Sequence, residues 1–238
     1  LFLRTKYLDE IKDDILDSPL LDSLYYKYSD LPFYMFKEYI ESRYKQRMDQ
    51  LVEDEFYAPL GASHLGYLPL QEVDVNQVAP SEIDDYYRHT EVQGFVHDMG
   101  AAMQNGVGGH AGLFSNANDV AKMMQMFIQG GSYGGRSFFS PYTVSHFNTR
   151  YYESENNRRG IGFDKQQFED PGPTCLCASE QSFGHSGFTG TFAWADPAYE
   201  LVYVFLSNRT YPTMENTRIV DTNLRSEIQR LIYKGIIQ

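Results

Sequence analysis

Cysteine is scarce in this sequence, with two among 238 residues, and tryptophan occurs once. Two cysteines cannot build a disulfide framework. Cys175-Leu176-Cys177 could hold a metal or close a strained disulfide; with no second cysteine cluster it is read as structural and assigns no redox compartment. Long apolar runs are missing as well. Near the C-terminus the longest is "LVYVFL" (Leu201–Leu206), a strand length and far short of the ~20 residues of a membrane span. No positively charged start followed by an apolar stretch opens the chain, so no signal peptide is visible in it. Positive charge is in deficit: 20 Lys and Arg face 32 Asp and Glu, a formal net charge of −12. That field repels phosphates, and "NRRG" at 157–160 is too short for a basic stripe, so no nucleic-acid partner is expected and these charges read as solvated surface. The six histidines (64, 89, 97, 110, 146 and 185) form neither His-x-His nor His-Glu-x-x-His. No metal or other cofactor is expected, and each histidine reads as a hydrogen-bonded loop or core residue.

What is abundant is aromatic: 19 Tyr and 16 Phe in a chain that is 42% hydrophobic. That favours an ordered globular protein with a sizeable core over disorder. The first half reads helical. "YLDEIKDDILDS" sets Leu8, Ile11, Ile15 and Leu16 at helical spacing, and "PFYMFKEYIESRYKQRMDQLVEDEF" continues the period from Pro32 as a first-turn residue. "APLGASHLGYLPL" is loop, and residues 71–98, without sustained period, read as a long polar connection. "NANDVAKMMQMFIQGG" is the clearest helix, with Asn116 as its cap, Asp119 three residues on and Gly130-Gly131 as its stop. The last third changes character. "FGHSGFTGTFAWADP" and "ELVYVFLSNR" read as two strands joined at Asp196–Tyr199, and "IVDTNLRSEIQRLIYKGI" as a final amphipathic helix. The expected division is a mainly helical region over 1–150 and antiparallel strands with a helix over 151–238.

Two motifs invite over-reading. Gly184-His185-Ser186-Gly187 looks like most of a nucleophile elbow, but Phe188 stands where the pattern needs glycine and no helix follows. Ser186 is therefore not read as a nucleophile. "GVGGHA" (Gly106–Ala111) matches a relaxed dinucleotide fingerprint, yet "VHDMGAAMQN" before it is no hydrophobic strand, so the glycines are read as shaping a loop beside a pocket.

Five blocks in order, "YKYSDLPFYMFKEYIE", "FYAPLGAS", "GFVHDMGAA", "GVGGHAGLFSNANDVAKMMQMFIQGG" and "FGHSGFTGTFAWADP…LVYVFLSNR", together resemble the serine β-lactamase-related family: class C β-lactamases, D-alanyl-D-alanine carboxypeptidases and their esterase relatives. The resemblance is nearest to the branch in which such a domain follows a β-N-acetylglucosaminidase-type glycoside hydrolase domain in bacterial envelope proteins. It implies an α+β fold, an antiparallel sheet flanked by helices plus a helical region. It also implies a location in the periplasm or cell envelope and acyl-enzyme chemistry on an ester or amide, a cell-wall-derived peptide or a β-lactam among the candidates. In that family a Ser-x-x-Lys supplies the nucleophile, a Tyr-x-Asn loop a proton-shuttling phenol, and a Lys-Thr-Gly strand one wall of the cleft. Tyr28-Ser29-Asp30 stands where Tyr-x-Asn is expected, and His185-Ser186-Gly187 where Lys-Thr-Gly is expected. By this resemblance Tyr28, Asp30 and His185 are catalytic candidates. Ser186, Gly187 and Phe188 line the substrate, with the Phe188 N–H donating to an oxyanion. Two departures matter. Asp30 puts a carboxylate in place of an amide, and His185 replaces a permanent cation, which leans the reading toward an esterase or amidase.

The only Ser-x-x-Lys here, Ser42-Arg43-Tyr44-Lys45, falls twelve residues after Asp30 inside a charged helix and is read as coincidence. The chain, which begins without methionine, is accordingly read as the C-terminal part of one domain, with its nucleophile motif outside these residues and an exposed strand edge through which it self-associates. A non-catalytic peptidoglycan-binding module, or a structural C-terminal domain of a glycoside hydrolase, is the alternative. A Ser-x-x-Lys in the encoded sequence upstream separates them.

Overall fold

The computed structural model describes residues 6–23 and 25–236. Contacts gather the chain into two units, Leu1–Ala58 with Leu65–Phe114, and Pro59–His64 with Ser115–Gln238.

The first unit opens with α1 (Lys6–Leu16), α2 (Leu31–Tyr44) and α3 (Met48–Val52), the last running into one wide helical turn at Glu53–Tyr57. The long helical period read through residues 32–56 is therefore broken once. Lys45 takes a left-handed conformation (φ 56°) and closes α2, its N–H bonding the Glu41 carbonyl, while the Glu41 carboxylate accepts from the Met48 N–H at 2.9 Å and so restarts the chain as α3. Residues 71–98 are not a plain connection. They contain a hairpin, β1 (Pro80–Asp84) and β2 (Thr90–Gln93), paired antiparallel with a register shift between Pro80 and Glu82. Its signal was hidden because polar bonding rather than apolar alternation makes it. Buried Asp84 accepts from the N–H groups of Tyr86 and Tyr87 and from Arg88, folding the turn. A short helix, α4 (Met99–Met103), follows, capped by Asp98.

The second unit begins with α5 (Ala117–Ile128). Asn116 caps it by accepting from the Asp119 N–H at 2.9 Å, and Gly130 and Gly131, both at positive φ, stop it. A two-residue ribbon, β3 (Ser132–Tyr133) with β4 (Arg136–Ser137), leads to α6 (Pro141–Phe147). The main sheet is antiparallel in chain order: β5 (Asp164–Lys165), β6 (Phe183–Ser186), β7 (Phe192–Asp196) and β8 (Leu201–Phe205). What reads as one strand from 183 to 197 is thus two. Gly187-Phe188-Thr189-Gly190 turns the chain, with the Gly187 N–H bonding Thr191 O at 2.8 Å and the Gly190 N–H bonding Gly187 O at 3.0 Å. The final helix is also split, α7 (Arg218–Asp221) from α8 (Leu224–Ile236), at Asn223 in the left-handed region.

Period-two alternation builds the core. Phe192, Trp194, Tyr203 and Phe205 face Ile228 and Ile232 of α8 on one side of the sheet. Phe183, Ala193, Ala195 and Val202 face Val120, Met124, Phe127 and Ile128 of α5 on the other. Each fully buried large side chain contributes roughly 1.5–3 kcal/mol of apolar burial. At the end of β7, fully buried Asp196 accepts from the Ser179 N–H, the Ser179 hydroxyl and the Tyr233 hydroxyl, so the last polar group of the strand is satisfied. Cys175 and Cys177 form a disulfide beside α8, where the Cys175 N–H bonds Gln229 Oε1 at 3.0 Å. The structural reading of this pair holds. These elements mix helices with antiparallel sheet, the α+β class expected from the resemblance.

Candidate active site

Tyr28 and Asp30 belong to the first unit and His185–Phe188 to the second, and the two groups are taken in turn. Tyr28 is 58% exposed. It precedes a compact helix start: the Ser29 hydroxyl accepts from the Leu31 N–H at 3.2 Å, Asp30 is the cap residue, and its carbonyl accepts from the Phe33 N–H at 2.9 Å. The Asp30 carboxylate makes no capping bond to the helix. Pro32 sits in the first turn, where a missing N–H costs nothing. Ser42 is exposed in the last turn of the same helix, three residues before the left-handed Lys45.

His185 lies on β6 opposite Ala193, one residue past Gly184, which pairs with Trp194 on one side and Asp164 on the other. Its two ring nitrogens have defined partners. Arg159 Nη1 is 2.9 Å from Nε2, and Nδ1 is 2.8 Å from the Ser186 carbonyl. A guanidinium only donates and a carbonyl only accepts, so Nε2 carries the lone pair and Nδ1 the proton. The two contacts fix the orientation of the His185 ring. The permanent charge comes from behind it. Arg158 grips buried Asp164 with two bonds of 2.7 and 2.8 Å, and Arg159 Nη2 reaches the same carboxylate at 3.3 Å. Two guanidiniums thus share one carboxylate beside the strand. Sequence reasoning missed Arg158, Arg159 and Asp164, and the one available signal was a doubled arginine six residues before an aspartate in an otherwise acidic chain.

Ser186, Gly187 and Phe188 follow at the strand end and turn. The turn is fastened to the segment after β8: the Arg209 N–H bonds Thr189 O at 2.9 Å, and the Ser207 hydroxyl bonds the same carbonyl at 3.3 Å. The Phe188 ring, 60% exposed, lies under the Arg209 guanidinium at 4.8 Å. Arg209 also donates to the carbonyls of Met214 and Asn216, so the cation that covers Phe188 is itself held in place. One further basic group lies under the sheet. Lys165, 3% exposed on β5, donates to Asn148 Oδ1 at 2.6 Å, and burial pushes its ammonium down to about 8.

Among the described residues no group of three or more His, Cys, Asp or Glu side chains is placed to hold a metal ion, and no helix is long and apolar enough to cross a membrane.

A family model described as Beta-lactamase matches residues 4–224. A protein of Escherichia coli O157:H7 named "Putative D-alanyl-D-alanine carboxypeptidase" is 35% identical over 197 residues, covering 77% of this chain and 45% of its own length. A protein of the same name from Salmonella agona is 33% identical over 205 residues, 81% of this chain and 47% of its own. The chain spans about half the length of the curated relatives it matches. Among solved structures, a penicillin-binding protein homologue from Caulobacter crescentus superimposes with a TM-score of 0.60 at 20% identity, over 85% of this chain and 58% of that one. Simvastatin synthase (LovD) from Aspergillus terreus does so with 0.68 at 15% identity, over 96% and 62%. These two likenesses speak for the fold. With the family model matching residues 4–224 of 238, the chain belongs to the beta-lactamase family.

Proposed function

We propose that this chain forms part of a serine hydrolase that works through an acyl-enzyme on an amide or ester bearing a carboxylate, a cell-wall-derived peptide or a β-lactam being the favoured class. The observation that carries this reading is the Arg158–Arg159–Asp164 cluster behind His185. The strand that in the family presents a lysine presents a histidine here, with the Arg159 guanidinium 2.9 Å from its Nε2. A guanidinium so placed, partly shielded from solvent, attracts an anionic group more strongly than an exposed one does.

In this reading the Tyr28 phenol shuttles a proton between nucleophile and leaving group, Gly187 lets the acyl group lie close to the strand, and the Phe188 N–H donates to the oxyanion. His185 orients the substrate. In this reading Ser42-Arg43-Tyr44-Lys45, which ends on the residue that closes α2, is not the nucleophile motif. The names of the relatives and the family match support a hydrolase of peptides or β-lactams and a place in the cell envelope. The narrower assignment, to the branch joined to a glycoside hydrolase domain, is tested by the coding sequence upstream.

The test compares two probes in a protein carrying this chain: a D-alanyl-D-alanine peptide, which ends in a carboxylate, and p-nitrophenyl acetate, which has none. Arg159→Ala should raise KM for the peptide by about tenfold, the equivalent of one charged contact, and leave the ester within twofold. His185→Ala should shift both. Equal effects of Arg159→Ala on the two probes would refute the carboxylate assignment. Failure of the parent protein to hydrolyse either probe would refute the enzyme reading.

A further inference from the structure

We propose that Asp98 and His110 are positioning residues that fix the first turn of α2 and, through it, the Tyr28-Ser29-Asp30 segment. This rests on the assignment of Tyr28 above. The His110 side chain is 4% exposed, and its Nε2 lies 2.8 Å from Asp98 Oδ1. The bond to Asp98 sets the ring plane, and that plane lies flat on Tyr34, with ring centroids 4.7 Å apart and planes inclined by 11°. Tyr34 is in the first turn of α2, six residues after Tyr28.

Asp98 is itself immobilised. The oxygen that meets His110 also accepts from the Ala101 N–H at 2.7 Å, which caps α4. On the other side of the residue, Arg88 Nη2 donates to the carbonyls of Val96 at 2.8 Å and His97 at 3.1 Å, while Arg88 Nη1 bonds Asp84 at 3.1 Å in the β1–β2 hairpin. Arg88 thus ties the backbone just before Asp98 to the hairpin, and the Asp98 carboxylate in turn holds His110, whose ring lies on an aromatic face of the helix that follows Tyr28. The His110 pairing holds the Asp98 carboxyl below its usual range, so the aspartate stays ionised and the bond stays charge-assisted.

Backbone packing converges on the same turn. A side-chain carbon at Gly109 would collide with the Phe33 carbonyl, and one at Gly100 with the Tyr34 hydroxyl. Gly109 permits an approach to backbone that any other residue would block, whereas at Gly100 the Tyr34 side chain would have to shift. The first turn of α2 is therefore seated between the start of α4 and the loop before His110. Apolar burial does little there, since α2 has no fully buried residue. His110 Nδ1 is buried without a hydrogen-bond partner among the described residues. The ring is thus committed to Asp98 and Tyr34 alone, an arrangement that suits an anchor.

The experiment has one arm that does not depend on catalysis. Hydrogen exchange of the 238-residue chain is followed in His110→Ala, Asp98→Ala and Asp98→Asn. Asn keeps an oxygen for both the Ala101 N–H and His110 but loses the charge, so it should rescue in part. Amides of residues 31–36 should exchange about tenfold faster in the two alanine variants and at a rate between those and the parent in Asp98→Asn, while those of β7 and β8 stay unchanged. In a protein carrying this chain, His110→Ala should lower kcat for p-nitrophenyl acetate by about ten- to a hundredfold with KM within twofold, the mark of a displaced proton shuttle. Unchanged exchange at 31–36 overturns the anchor. Faster exchange with unchanged kcat overturns its part in the reaction. Parent-like turnover in Tyr28→Phe, with exchange still accelerated in His110→Ala, would instead remove Tyr28 from the site and leave the anchoring intact.

Discussion

Strand β6 has neighbours on both edges, Phe183 buried at 1% exposure beneath α5, and Arg159 fixing the ring of His185. Helix α2 stands in contrast. Leu31, Phe33, Phe36, Tyr39 and Tyr44 are all exposed, and the helix is held by polar bonds and by the His110 stack. The segment that carries His185 is built on a packed core, and the one that follows Tyr28 on directional contacts. Burial is indifferent to small rotations, whereas a hydrogen-bonded ring is not. The second kind of support suits a group that must present a phenol at a set angle, and the first a strand that must only be straight and rigid.

The comparison is broken most severely at the residue that the directional half exists to place. Tyr28→Phe should cut turnover by ~10²–10⁴-fold, as expected for loss of proton transfer, with the thermal midpoint of unfolding unchanged. A midpoint drop with normal specific activity would mean that Tyr28 is a packing residue.

In the packed half the largest effect should fall on stability. Trp194→Ala, at a position 1% exposed and stacked on Phe192 at 5.4 Å, should cost about 3–5 kcal/mol in denaturant unfolding. Trp194→Phe should cost much less, because the buried indole N–H has no hydrogen-bond partner among the described residues for the change to strand. Equal costs would show that the indole N–H is engaged.

Lys165 sharpens the contrast by pH. Its folded-state value, about 8, lies below the ordinary 10.5. Between those values the unfolded chain holds a proton that the folded one has lost. Stability should therefore rise with pH across that window, and below it the folded state carries the full penalty, on the order of 1–3 kcal/mol. Lys165→Met should flatten the rise. A slope that persists in the variant would assign it to another group.

The smallest change is expected on the exposed face of α2. Phe36→Ala, at 57% exposure, should alter the stability of this chain by no more than ~0.5 kcal/mol. A larger loss would show that the helix depends on apolar packing and would erase the distinction between the halves.

Much of this molecule was legible because local signals sufficed. Asn116 with Gly130-Gly131 delimits α5 by capping chemistry alone, and the apolar residues of "FAWAD" and "LVYVF" declare strands by composition. The ordered blocks marked the family and gave Tyr28 and His185 as candidates. Less was legible where bonding is non-local. The β1–β2 hairpin depends on Asp84 and Arg88, and the break within residues 183–197 depends on a turn whose glycines look like strand punctuation.

The sequence by itself determined the period-two and helical patterns, the cap and stop of α5 and the family, since each is written in residues close along the chain or in blocks of fixed order. Only the tertiary structure decided that Arg159 stands 26 residues away in sequence yet 2.9 Å from His185, and that Asp98 and His110 close on Tyr34. Charge pairs of this kind leave no periodic trace. Their partners are chosen by where the backbone brings them, and the low dielectric of a partly buried site makes the pairing count once they meet.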